Sequence, residues 1–349
     1  MTMDLRVGFA IFLIGLPAVT VAGWGQLAPS PDAPPVSTAP APPPDQTPVA
    51  TFKLNVNLVD LFFTVTDKNG NLMPHLTKDE CHIWEDHAPQ TMKTFAAETD
   101  LPLTLGILLD TSGSQVDVLP LEQQAGSRFL DRVLRSKDEA FLLSFDTNVD
   151  QLQDFTNSAR QLSRAMDSAR INTAGTGGVG IPGLGGGTIP SIGDPKGTVL
   201  YDAVYLAATQ KLNQETGRKA MILLTDGEDQ GSTTKLNDAI ASAQKSNVIV
   251  YVILIADPGF YGGFGYSGYS AMKKMTEQTG GRLINVGSNA DKLEAAFGQI
   301  EDELRTQYVV TYTPTDTKLD GTFRHIEINC GKGLKVHARS GYFAPSAGS

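Results

Sequence analysis

Between residues 101 and 305 two hydrophobic patterns alternate along the chain. Leu103 to Leu109, Ala140 to Phe145, Ala220 to Leu224 and Val248 to Ile255 are continuous apolar runs, as expected of parallel strands covered on both faces. Apolar positions spaced three or four apart predict helices over about 116–134, 157–169, 199–213, 234–245, 270–278 and 289–305. Val149–Phe155 reads as an edge strand and Arg282–Val286 as a short one. Strand followed by helix throughout predicts an α/β domain over 101–305, with a doubly wound, mostly parallel, Rossmann-like sheet.

The flanks follow a different rule. Over 51–98 and 306–345 the apolar positions alternate, as in Leu61–Thr66, Gln307–Thr313, Thr322–Cys330 and Leu334–Ala338. Asp67-Lys68-Asn69-Gly70 between them is a hairpin-type turn. Each flank is too small to hold a sheet pair alone. The expectation is one small β-sandwich built from both flanks, with the α/β domain inserted between them.

The apolar run to Leu109 stops at Asp110-Thr111-Ser112-Gly113-Ser114. A carboxylate followed by hydroxyls at a strand end supplies the oxygen ligands that a hard dication prefers. Read alone, the same residues serve equally as a helix cap. Two further segments add to them: Thr198 stands where a helical pattern with Leu200, Val204, Ala207 and Ala208 begins, and a second buried run ends in Thr225-Asp226-Gly227-Glu228.

With Asp110, Ser112, Ser114, Thr198 and Asp226 in this order, the chain resembles the von Willebrand factor type A domain and its metal-ion-dependent adhesion site. The resemblance implies that Ser112 and Ser114 ligate the metal directly. Thr198 does so directly or through water, and Asp110 and Asp226 directly or through bridging waters. A sixth position is left for an acidic side chain of a protein partner. Mg2+ is the implied ion, with Mn2+ and Ca2+ as alternatives. The flanks, with Val65-Thr66-Asp67-Lys68-Asn69-Gly70 and Tyr308-Val309-Val310-Thr311-Tyr312-Thr313-Pro314, also resemble those of bacterial proteins related to that family.

Composition narrows the class of partner. The 349 residues are 41% hydrophobic and 19% charged, enough to bury a core, with a net charge of −10. No basic cluster offers phosphate contacts, so nucleic acid is not expected as a partner. No small-molecule cofactor is expected either: Gly178-Val179-Gly180-Ile181-Pro182-Gly183 matches a dinucleotide fingerprint formally but neither follows a strand nor opens a helix.

At the start, Val7 to Val19 is an apolar run of signal-peptide length, and prolines recur from Ala28 to Ala50. Residues 1–25 are read as a signal peptide and 26–50 as an extended linker, which places the protein in the periplasm, on the cell surface or in the medium. An uncleaved membrane anchor is the competing reading of the first segment, and the one case in which a membrane is involved. The chain has two cysteines, Cys81 and Cys330, one in each flank. In an exported protein such a pair reads as a disulfide, against two free buried thiols or a zinc site with His82, His87 and His337 that lacks standard ligand spacing.

Two long loops are expected above the metal site. Residues 172–196 are rich in glycine, and 257–270 carry Phe260, Tyr261, Phe264, Tyr266 and Tyr269, an adaptable aromatic surface for a ligand. Packing of those aromatics onto the domain is the plainer alternative. Catalysis is not expected, because all five histidines lie in the flanks and there is no Gly-x-Ser-x-Gly elbow. The leading expectation is an exported binding or adhesion module. The alternative is a structural or assembly component whose metal mainly stabilises the fold, and a metal-dependent hydrolase using Glu228 or Asp229 ranks third.

Overall fold

The computed structural model describes residues 58–97, 101–171, 197–255 and 267–346. Segments 1–25, 26–50 and 172–196, and Phe260, Tyr261, Phe264 and Tyr266, lie outside the described residues. The first flank contributes β1 (Val59–Thr66), β2 (His82–Glu85), β3 (Ala88–Gln90) and β4 (Met92–Ala97). Then come β5 (Leu103–Asp110), α1 (Leu119–Val133), β6 (Glu139–Phe145), β7 (Val149–Thr156), α2 (Ala159–Ser168) and α3 (Leu200–Leu206). The inserted domain continues with β8 (Arg218–Thr225), α4 (Leu236–Lys245), β9 (Ile249–Leu254), α5 (Ser267–Thr279), β10 (Leu283–Asn285) and α6 (Ala290–Arg305). The second flank adds β11 (Tyr308–Tyr312), β12 (Phe323–Asn329), β13 (Lys335–Ala338) and β14 (Gly341–Phe343).

The central sheet has the order β10-β9-β8-β5-β6-β7, parallel except for the edge strand β7. Its apolar runs are continuous because alternate residues feed two cores. Leu105, Ile107, Leu109, Ile222, Leu224 and Ile253 pack with Phe129, Phe297 and Ile300 of α1 and α6. Leu108, Leu143, Met221, Leu223 and Val252 pack with Val204, Ile240, Met272 and Met275 of α3, α4 and α5. The sheet is thus covered on both sides, as its composition demands. Among the described residues, no helix is long and apolar enough to cross a membrane.

Two antiparallel sheets, β13-β1-β11-β4 and β14-β12-β2-β3, each draw strands from both flanks. Leu61, Phe63, Val65, Ile83, Val310, Tyr312 and Ile326 form the core between them. At one end of the paired strands β2 and β12, Cys81 and Cys330 form a disulfide. With both thiols used, the zinc alternative is removed, and His337 sits instead beside Thr66 and Arg282.

Several elements depart from the pattern. The expected alternation of exposed and buried residues fails in β1, where all but Asp60 are buried: Phe62, with its partner Val309 on the neighbouring β11, packs into the first core of the inserted domain. The helix expected over 199–213 is α-helical only to Leu206, then widens into a π turn at Ala207–Lys211 and tightens at Leu212–Gln214. Helix α5 begins at Ser267, so Tyr269 stands on a helix and not in a loop.

One buried side chain gathers the ends of the inserted domain. Arg218, at the start of β8, donates from Nε and Nη2 to the Leu101 carbonyl at 3.2 and 3.1 Å, and from Nη1 to the Leu304 carbonyl. The domain therefore enters and leaves the sandwich at the amino-terminal ends of its strands. Their carboxyl ends point the other way.

Candidate metal centre

Strand β5 sends the chain through α1 to β6, and β8 sends it through α4 to β9, so the connections diverge between two neighbouring strands. Such a switch point opens a crevice at the strand ends. Leu109 pairs with Leu224, so the last residues of the two strands, Asp110 and Thr225, meet side by side. Thr225 Oγ1 donates to Asp110 Oδ2 at 2.6 Å and accepts from the Gly227 N–H at 3.0 Å. Asp110 Oδ1 accepts from the Ser112 N–H and Asp226 Oδ1 from the Glu228 N–H, each at 3.0 Å. Each aspartate is thus fixed by the backbone two residues on.

The serines are not spent on capping. A short turn, Gly113–Gln115, follows Ser112 without a side-chain cap bond, and α1 starts after Val118, again without one. Ser112 Oγ and Ser114 Oγ instead lie 3.0 Å from each other, Ser114 exposed. This removes the cap reading of the motif. Thr198 arrives from elsewhere: its carbonyl accepts from Gln230 and Gly231 N–H at 3.0 Å, and the next residue, Val199, donates to the Asp146 carbonyl at 2.8 Å. The backbone of Thr198 is therefore tied both to the loop that begins at Asp226 and to the turn after β6.

Electrostatics set what this arrangement can hold. Asp110 is fully buried and Asp226 is 4% exposed. Burial first, and then the negative charge of Asp226, push the Asp110 carboxyl up to about 7, against the opposing hydrogen bonds of Ser112 and Thr225. A dication between two such carboxylates would turn mutual repulsion into attraction. Among the described residues, no three His, Cys, Asp or Glu side chains cluster at metal-holding distance. An ion here would therefore need the hydroxyls of Ser112, Ser114 and Thr198 beside Asp110 and Asp226, and that donor set suits a hard ion.

Sequence reasoning overlooked two residues. Thr225 is an ordinary strand residue by pattern, and only the β5–β8 register shows that it positions Asp110. Glu122 is fully buried on α1, with both carboxylate oxygens lacking a hydrogen-bond partner. The signal for it existed, since Leu119, Glu122, Ala125, Phe129 and Val133 share the buried face. Of the other acids, Glu228 Oε1 accepts from the Gly268 N–H at 3.1 Å and Asp229 Oδ1 from the Tyr201 N–H at 3.1 Å. Tyr269, beside Gly268, is 42% exposed.

Gly231 makes the closest approach in the site's frame. A Cβ there would lie 2.0 Å from the Gly197 carbonyl oxygen, next to Thr198. Gly231→Ala is expected to cost about 1–3 kcal/mol in urea unfolding, as overpacking against backbone does. Unchanged stability would show that the Thr198 segment yields freely.

No family model and no curated protein matches the sequence. Solved structures do. The chain is similar to the conserved hypothetical protein BatB from Bacteroides thetaiotaomicron, at 18% identity over 58% of this chain and 98% of that one, with a TM-score of 0.43. A von Willebrand factor type A protein from Catenulispora acidiphila is 11% identical, covering 85% of this chain and 76% of that one, with a TM-score of 0.44. Proximal thread matrix protein 1 from the mussel byssus, solved with a zinc-occupied MIDAS motif, is 15% identical over 62% of this chain and 48% of that one, with a TM-score of 0.44.

Proposed function

We propose that the protein is a metal-dependent binding module that captures a protein partner through a carboxylate on a divalent ion. The ion would be held by Asp110, Ser112, Ser114, Thr198 and Asp226, with Mg2+ the expected species and Mn2+ or Ca2+ able to replace it. One observation carries this reading: two buried aspartates converge at the switch point with no need to cap or brace a helix, beside a pair of hydroxyls open to solvent. Three of the five ligands are neutral, so a bound dication keeps positive charge in reserve for an acidic side chain.

The surroundings suit a partner whose acid is flanked by apolar groups. Val116, two residues past Ser114, is 55% exposed, and Tyr269 is exposed on the first turn of α5, whose Gly268 packs on Gly227. Such exposed apolar side chains near a polar centre are typical of binding faces. We further place the protein outside the cytoplasm, on the strength of its apolar leader and its disulfide. No catalytic role is proposed.

The test is metal titration coupled to capture. Wild-type protein should bind one Mn2+ by calorimetry, and Asp226→Ala should lose that binding while remaining folded in EDTA. From an envelope extract, immobilised wild type should retain a protein in Mg2+ and release it in EDTA, and Asp226→Ala should retain none. Capture that survives both EDTA and Asp226→Ala would move the working surface to the sandwich and leave the ion, if bound, a structural one.

A further inference from the structure

Glu122 is the one acid in the described molecule that is fully buried with neither carboxylate oxygen hydrogen-bonded. It stands in the first turn of α1, the helix that directly follows the Asp110–Ser114 loop. Seven residues before it, Gln115 is also buried, 1% exposed. Its Nε2 donates to Ser114 Oγ at 3.4 Å, while its Oε1 has no partner. Two orphaned acceptor groups thus stand on the segment that leads from the loop into α1, one of them on a side chain bonded to Ser114. Nothing in packing asks for an acid here, because leucine at position 122 would continue the apolar face formed by Leu119, Ala125, Phe129 and Val133.

Orphaned acceptors call for a donor. A direct bond from Glu122 to an ion is excluded by the lack of a three-carboxylate cluster at metal-holding distance among the described residues. A water molecule, by contrast, carries two hydrogens and satisfies buried acceptors routinely. Burial first, then the charges of Asp110 and Asp226, hold the Glu122 carboxyl well above the ordinary range. Its carboxyl is therefore close enough to feel both aspartates, and a dication among them would reverse the sign of that field. Carboxylates one water removed from an ion orient its ligands and strengthen their hold.

We propose that Glu122 is a positioning residue of the metal centre, accepting a hydrogen bond from a water on the divalent ion and so fixing that water against Asp110 and Asp226. This rests on the metal reading given above. Gln115, bonded to Ser114, supplies the neighbouring acceptor.

The experiment uses the full chain and Mn2+ alone as the probe, in calorimetric titrations of wild type, Glu122→Gln and Glu122→Leu, with the metal-free melting temperature measured for each. Glu122→Gln keeps the shape and an acceptor but not the charge, and its Mn2+ affinity should fall about 10-fold with metal-free melting equal or higher. Glu122→Leu should bind up to about 100-fold more weakly than wild type, with metal-free melting equal or higher. Wild-type affinity in Glu122→Leu overturns the proposal, because a side chain with no acceptor would then serve as well and the residue is reduced to packing. A wild type that binds no Mn2+ is a separate outcome, which defeats the metal reading itself and the role of Glu122 with it.

Discussion

Stripped of metal by EDTA, the protein is expected to become less stable as the pH rises from about 4 to about 7, and divalent metal to reverse the loss. The sign follows from Asp110, whose carboxyl is pushed from 3.8 up to about 7 by burial and by Asp226. The folded state then holds a proton that the unfolded chain has released, so stability is complete below the lower value and is lost as the pH climbs through the upper one. Three pK units correspond to about 4 kcal/mol, or on the order of 10 °C in melting for a domain of this size. Glu122 adds to the same trend, since it too is raised. Metal competes with the proton for the carboxylates, so the stabilisation by Mg2+ should be small at pH 5 and large at pH 8.

The control is Asp110→Asn, which removes the titrating group and retains the shape. In EDTA at pH 8 this variant should melt above wild type, and its pH dependence should be flatter by the share that Asp110 carries. General repulsion in a chain of net charge −10 acts equally on both proteins and cancels in the difference. Parallel pH curves for the two proteins would sink the idea that Asp110 is a strained, proton-holding acid. A shift with Mg2+ that is the same at pH 5 and pH 8 would separate the ion from these carboxylates.

What the sequence discloses here follows from where the physics is local. The central strands are legible because burial on both faces forces uninterrupted apolar runs, and Leu103–Leu109 can hardly be anything else. Asp110 and Asp226 stand out because each ends such a run with a charge. The pairing of Cys81 with Cys330 is legible from the count, since two cysteines, one in each flank, allow a single bridge within the chain. Strands β3 and β14 are not legible, since each is three residues long and carries no apolar run of the kind that marks β10. The tight turn at Asp86-His87, with φ of 46° and 67°, is a left-handed pair that no glycine announces.

Non-local facts are the ones that pattern misses. Phe62 looks like the exposed half of an alternating strand until the inserted domain arrives to cover it. Thr225 becomes a partner of Asp110 only through the β5–β8 register. Glu122 has the spacing of a core residue and the chemistry of a surface one, and the conflict is itself the signal. In the sandwich, Glu85 shows the bland form of the same conflict, because Tyr312 and Tyr342 hydroxyls donate to it at 2.8 and 3.0 Å and Arg324 stands 3.5 Å away.

Removing the disulfide should unfold the two parts of the molecule in sequence. Cys81 and Cys330 are 249 residues apart, and the chain-entropy model gives a loop of that length about 5 kcal/mol when the whole chain unfolds at once. Arg218 holds both ends of the inserted domain together through Leu101 and Leu304. If that domain stays folded while the sandwich opens, it spans the loop as a short bridge. The loop then shrinks to the flanking segments, and the same model gives about 4 kcal/mol. Nearly all of the disulfide's effect therefore falls on the sandwich, whose own core is small. In the Cys81→Ser, Cys330→Ser protein, fluorescence of Trp84 on β2 should report melting at a temperature lower by on the order of 10 °C. Helix-sensitive circular dichroism, dominated by α1 to α6, should follow at nearly its original temperature. A single coincident transition at a lower temperature would mean that Phe62 and Val309 couple the two parts too tightly for either to melt alone.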